Sequence, residues 1–239
     1  MIKLATISGP PSSGKTSVIL KAIRSLKGKG LITGVVKFDC LTTSDDALYQ
    51  KAGVPVVAGL SGNLCPDHFF ISNLEESLQW GERKGLDLLL IESAGLCNRC
   101  SPHIQDVLAV CVVDTLAGVH TPKKIGPMLR LADLVVITKG DIVSQAEREV
   151  FMFRVRQANP RAAVLAVNGI TGQGADELAA RLEQAVSVAD FSGRRLRFPM
   201  PQALCSYCLG ETKIGGDFQH GIIKKMSWPA AEHKAVTHE

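Results

Sequence analysis

The 239-residue sequence is poor in aromatic residues, at 5%, and its net charge is only +4. No Lys/Arg run is interleaved with Phe, Tyr or Trp, so the basic, stacking surfaces that bind nucleic acid are missing, and nucleic acid is not expected as a partner. Long hydrophobic runs are missing too. The longest, such as Leu88–Ile91 and Val107–Val113, fall far short of the roughly 20 residues a spanning helix needs, so no membrane insertion is expected. There is no internal repeat and no low-complexity tract, which sets solenoids and disordered linkers aside. The first residues lead into a strand without a leader-like segment, which points to the cytoplasm, where seven cysteines stay reduced and available as thiolates.

What is present starts with 46% apolar content, ample for a buried core. The apolar stretch Ile2–Ile7 runs into Gly9-Pro10-Pro11-Ser12-Ser13-Gly14-Lys15-Thr16, and a helix-periodic series through Val18, Leu20, Ile23 and Leu26 follows. Strand, glycine-bounded loop and helix in this order make a phosphate-binding loop. Gly9 and Gly14 let successive N–H groups turn inward, the helix N-terminus adds its positive end, and Lys15 supplies a cation for the outer phosphates. The Thr16 hydroxyl is placed to hold Mg²⁺.

Further buried strands are expected at 31–38, Leu88–Glu92, Val107–Asp114, Leu134–Thr138 and Ala163–Val167, separated by helices at about 69–82 and 175–188. The continuous apolar runs suit a parallel sheet covered on both faces, so the fold class is α/β: a doubly wound, mostly parallel sheet of the P-loop NTPase type. Ligands then gather at the carboxyl ends of the strands. Residues 1–190 form the nucleotide domain, 191–227 an appended segment rich in Cys and Gly with an edge strand at Arg194–Phe198, and 228–239 a polar, flexible tail.

Strand ends carry partners for the loop. Glu92 can reach the Mg²⁺ shell, and Gly95, three residues on, can set its N–H against a γ-phosphate. In Thr138-Lys139-Gly140-Asp141, the Asp141 carboxylate can accept from guanine N1 and N2 together, which adenine cannot offer. Asn168-Gly169 can close over the base. The expected nucleotide is therefore GTP, and the expected activity GTP hydrolysis.

The Gly9–Thr16 loop, the Glu92–Gly95 and Thr138–Asp141 motifs, and the stretch Asp114-Thr115-Leu116-Ala117-Gly118-Val119-His120-Thr121-Pro122 together resemble the nickel-chaperone GTPases of the UreG/HypB family, within the SIMIBI class, over residues 1 to about 185. Pro10 stands where other branches of that class place a second lysine, and Thr138 where this family has Asn. The resemblance implies a nucleotide-dependent homodimer and a client metalloenzyme or its accessory proteins as partners. It also gives Asp39 a role in ordering Mg²⁺ and the attacking water, which makes Lys15, Thr16, Asp39 and Glu92 the catalytic set.

The family carries a Cys-Pro-His metal motif, and Cys65-Pro66-Asp67-His68 resembles it with one inserted Asp. Cys65 and His68 suit Ni²⁺ or Zn²⁺, and two chains would complete a four-ligand site. Two further pairs, Cys97/Cys100 and Cys205/Cys208, can form a four-cysteine set for Zn²⁺ or an iron–sulfur cluster. His103 is a further candidate ligand, Cys111 reads as core, and Cys40 is open to either reading. The expected function is a GTP-driven metallochaperone. Its rivals are a nucleotide-gated iron–sulfur electron donor and a nucleotide-binding metal sensor or store.

Overall fold

A computed structural model describes residues 1–199, 206 and 209–229. Cys205 and Cys208 lie outside the described residues. The chain alternates β1 (Ile2–Ser8), α1 (Lys15–Gly28), β2 (Thr33–Asp39), α2 (Asp45–Lys51), β3 (Val56–Leu60), α3 (Pro66–Ser72), α4 (Leu74–Arg83), β4 (Leu88–Glu92), β5 (Leu108–Asp114), α5 (Thr121–Lys124), α6 (Pro127–Arg130), β6 (Leu134–Thr138), α7 (Gln145–Ala158), β7 (Ala163–Ala166), α8 (Ala175–Glu183) and β8 (Ser187–Val188). The sheet order is β3-β2-β4-β1-β5-β6-β7, all parallel. β8 adds an antiparallel pairing of Ile2 with Val188, where a continuous helix to residue 188 was expected.

The apolar runs divide by parity. Leu88 and Leu90 face a core shared with Val18, Ile19 and Leu26 of α1 and Leu178 and Leu182 of α8. Leu89 and Ile91 face the opposite core with Phe38, Phe69, Phe70, Leu74 and Trp80. Burial on both faces is why these strands read as unbroken apolar runs. A third cluster packs Phe151 and Val155 of α7 under Val135 and Ile137 of β6. Ser144 starts α7 with a capping box: its Oγ accepts from the Glu147 N–H while Glu147 accepts from the Ser144 N–H.

The helix expected at 69–82 is two helices, broken at Asn73. This buried side chain leaves the helical pattern to donate to the carbonyls of Phe69 (2.7 Å) and Lys224 (3.1 Å), and it accepts from the Met226 N–H (2.9 Å). Asn73 thereby fastens the C-terminal segment over α3 and α4. Ile214 is buried in that core, and Ile223, Met226 and Trp228 pack against it; Trp228 thus lies on the core at the point where the sequence placed the start of a tail. The expected edge strand at 194–198 is reduced to single bridges, Ile104 to Leu196 and Arg195 to Lys213. Arg197 secures it with a bidentate pair to Asp133, both contacts at 2.7 Å, and bonds to the carbonyls of Ile104, Val107 and Leu131.

In the strand order, β1 stands between β4, reached from one side, and β5, where the chain crosses to the other side. This switch point, with the carboxyl ends Ser8, Asp39, Glu92, Asp114 and Thr138 around it, positions the site.

Candidate functional site

The loop 9–16 leaves β1 under tight confinement. A Cβ on Gly9 would lie 2.0 Å from the Val112 carbonyl oxygen, and one on Gly95 would lie 1.7 Å from the Gly9 carbonyl oxygen. Only glycine fits at either position. Lys15 Nζ donates to the carbonyls of Gly9 (2.9 Å) and Pro10 (3.1 Å), and burial pulls its pKa below the ordinary lysine range against the opposing pull of Glu92. From the β6 end, Thr138 Oγ1 donates to the Ser13 carbonyl at 2.6 Å and Lys139 Nζ to the Ser12 carbonyl at 2.7 Å. The Thr138 hydroxyl thus braces the loop itself. The buried hydroxyls of Ser13 and Ser93 have no hydrogen-bond partner among the described residues, and phosphate oxygens are acceptors such donors fit. A cavity of about 460 Å³ lies over this loop, lined in part by Ser12, Lys15, Thr16, Lys37, Asp39 and Glu92.

Beside Thr16 sits a carboxylate cluster larger than the sequence suggested. Thr16 Oγ1 lies 2.9 Å from Asp45 Oδ2 and 3.1 Å from Glu92 Oε1. Lys37 Nζ bonds the same two oxygens, at 2.6 Å and 2.9 Å. Tyr49 donates its hydroxyl to Glu92 Oε2 at 2.8 Å. Burial alone would lower Lys37, but Glu92 and Asp45 hold its pKa above the ordinary value; burial alone would raise Asp45, but the hydrogen bond and charge of Lys37, together with the Thr16 hydroxyl and the charge of Lys15, hold it below its own. Asp39, named from the sequence, is more peripheral: its Oδ2 is 3.8 Å from Lys37 Nζ and its Oδ1 accepts from the Cys40 N–H. Hydroxyl and carboxylate oxygens are the donors Mg²⁺ takes, so the cluster fits that ion, with Asp45 added to Thr16, Glu92 and Asp39.

Lys37, Asp45 and Tyr49 escaped the sequence reading. The available signal was a lysine inside the apolar run Val35–Phe38, since a charge in a strand covered on both faces needs a carboxylate partner.

A neighbouring cavity of about 380 Å³ is lined by Gly140, Asp141, Arg148, Asn168 and Gln173, among others. Asp141 is exposed at its edge. Asn168 spends its Oδ1 on the N–H groups of Ile170 and Thr171, so it shapes its own turn, and Gly169 lies against Ser17 of α1.

The thiols gather differently from the expected pairs. Ligand atoms of Cys65, Asp67 and Cys100 lie within 4.8 Å of one another, and Cys97 Sγ is 2.9 Å from Cys100 Sγ. His68, expected to pair with Cys65, is not in the group: the first turn of α3 points Asp67 at the thiols instead. Cys65 therefore meets the first Cys-x-x-Cys pair within one chain. Hydrogen bonding from the Cys100 thiol, aided by the N–H groups of Asp67 and His68, outweighs burial and lowers Cys65 to about 6. Cys100, as the donor, is pushed far up. Asp67 is fully buried, neither of its oxygens has a hydrogen-bond partner among the described residues, and burial lifts its pKa to about 8. An orphaned carboxylate between thiols fits a Zn²⁺ or Ni²⁺ ion.

The other candidates are accounted for by packing. His103 Nε2 lies 3.1 Å from the Met128 carbonyl, which can only accept, so this nitrogen carries the proton and Nδ1 accepts from the Thr6 hydroxyl at 3.0 Å. Cys111 is core, pushed up to about 12 by burial. Cys40 donates to the Gly62 carbonyl.

Sheet order, phosphate loop and strand-end carboxylates define a P-loop NTPase of the SIMIBI class. Residues 3–166 match the nucleotide-binding domain of CobW, HypB and UreG, and the chain belongs to this CobW/HypB/UreG family of P-loop GTPases. It is 48% identical over 225 residues to an uncharacterized protein of Methanocaldococcus jannaschii, covering 94% of this chain and 96% of that one. It is 30% identical over 198 residues to urease accessory protein UreG 2 of Bradyrhizobium sp., covering 75% and 89%. Among solved structures, HypB from Helicobacter pylori in complex with nickel superposes with a TM-score of 0.62 at 21% identity, over 80% of this chain and 92% of that one; this likeness speaks to the fold.

Proposed function

We propose that the chain is a GTP-hydrolysing metallochaperone that holds one Zn²⁺ or Ni²⁺ ion for delivery to a metalloenzyme. One observation carries the reading: the segment Glu92–Gly95, which touches the phosphate loop at Gly9, runs directly into Cys97 and Cys100. A contact made at the phosphates is thus two residues from the first thiol. Relatives named as urease accessory proteins, and a fold neighbour solved with nickel, support the same reading.

In the hydrolytic step Lys15 neutralises the outer phosphates and Gly95 offers its N–H to the γ-phosphate. Thr16, Asp45 and Glu92 would hold Mg²⁺, which when bound would supply charge neutralisation to the transferring group. Asp39 orients water, and Asp141 selects guanine. Cys65, Asp67 and Cys100 hold the cargo ion, with Cys97 beside them.

The test is GTP turnover by the unmodified protein and by Lys15→Ala. The reading expects Lys15→Ala to fold normally and lose about a hundredfold or more in turnover; undiminished turnover overturns it.

A further inference from the structure

Lys37 stands out in the hydrolytic cluster because it is a cation where the cluster's chemistry calls for a different one. Its side chain is 4% exposed, and its ammonium bonds Asp45 Oδ2 and Glu92 Oε1, the same two oxygens that receive the Thr16 hydroxyl. Glu92 is fully buried and has a third partner in Tyr49. The two carboxylates are therefore already neutralised in part, by a group covalently fixed in the middle of β2.

We propose that Lys37 is the specificity determinant of this oxygen cluster: it closes the Thr16–Asp45–Glu92 oxygens to free divalent cations, so that an ion enters only when it is carried on a nucleotide's phosphates. The proposal rests on the reading of the cavity as a nucleotide site.

Lys37 and an incoming ion compete for the same atoms. A divalent ion entering from solvent must displace two charge-assisted hydrogen bonds and sit beside an ammonium with nowhere remote to go. Asp39, 3.8 Å away, is the nearest further carboxylate. An ion bound to a nucleotide brings phosphate oxygens of its own, needs fewer protein oxygens than a free ion, and offers Lys37 new anionic partners in the same cavity.

A chain with two kinds of metal site has a reason for such a device. Oxygen donors bind Ni²⁺ and Zn²⁺ more tightly than Mn²⁺ when geometry imposes no choice. An open carboxylate cluster would therefore capture the cargo ion intended for Cys65, Asp67 and Cys100. A resident ammonium lets the thiol site compete for soft ions while the oxygen site waits for nucleotide.

Mn²⁺ is the probe, because it prefers oxygen to thiolate and its free and bound forms are counted by electron paramagnetic resonance. It is titrated into the nucleotide-free protein, Lys37→Met and Lys37→Arg. Lys37→Met keeps the apolar stem and is expected to bind one Mn²⁺ per chain at least tenfold more tightly than the unmodified protein, whereas Lys37→Arg, which keeps the charge, stays as weak as the unmodified protein. Lys37→Met within twofold of the unmodified protein overturns the proposal. Should Lys37→Met be poorly folded, its melting temperature must rise with added Mg²⁺ while that of the unmodified protein does not; an indifferent melting temperature also overturns the proposal. Binding of a fluorescent GTP analogue with Mg²⁺ to the unmodified protein separates the two levels. Binding there with an unchanged Lys37→Met isotherm refutes Lys37 alone, while absence of nucleotide binding refutes the site reading and the proposal with it.

Discussion

The α-carbon of Gly95 approaches the backbone of Gly9 so closely that a methyl group there would stand 1.7 Å from the Gly9 carbonyl oxygen. The segment after β4 and the phosphate loop after β1 are thus one packed unit, joined through backbone. Gly95 also has φ +70, in the left-handed region. Gly95→Ala is therefore expected to cost about 2 kcal/mol or more in denaturant unfolding and to weaken binding of a fluorescent GTP analogue at least tenfold. A variant with unchanged stability and affinity would mean that the two segments move independently.

The proposed function assigns base choice to Asp141, which lines the 380 Å³ cavity. GTP should bind much more tightly than ATP. Asp141→Asn exchanges an acceptor for a donor, and preference should move toward xanthosine triphosphate. Competition binding with the three nucleotides checks this, and equal affinity of the unmodified protein for ATP and GTP would remove guanine reading from Asp141.

His103 predicts an acid limit. It is fully buried as the neutral ring, and burial, with Arg197 nearby, lowers its pKa from 6.5 to about 4. A histidine depressed in the folded state contributes its full share above pH 6.5 and loses it as pH falls toward 4, because the unfolded chain takes up the proton first. The shift corresponds to about 3 kcal/mol across that window. Chemical denaturation at pH 7 and pH 4.5 should show this slope in the unmodified protein and a flatter one in His103→Gln. Identical slopes would assign acid sensitivity elsewhere.

The sequence made the phosphate loop legible because its determinants are local: eight consecutive residues between a strand and a helix. Sheet class was legible for the same reason, since burial on both faces leaves unbroken apolar runs. What escaped is non-local. Asp45 looked like loop polarity until β2 and α2 brought it to Thr16, and Lys37 was hidden by the strand around it. Cys65 and Cys100 are separated by α3, α4 and β4, so no spacing rule could pair them, while Cys65 and His68 looked paired because helical spacing alone does not say which side chain of a first turn faces inward. The break at Asn73 depends on Lys224 and Met226, which no local window contains.

The central claim is that one cargo ion per chain is held at Cys65, Asp67 and Cys100 and is coupled to the nucleotide through the Glu92–Cys100 segment. The direct measurement is Zn²⁺ affinity of the unmodified protein and of Cys100→Ser, with and without a non-hydrolysable GTP analogue, together with the reciprocal effect of Zn²⁺ on binding of that analogue. The account predicts one ion per chain, a nucleotide-dependent affinity, the same factor in both directions, and loss of metal binding but not of nucleotide binding in Cys100→Ser. Zn²⁺ bound with equal affinity in the presence and absence of the analogue, or bound undiminished by Cys100→Ser, would contradict it.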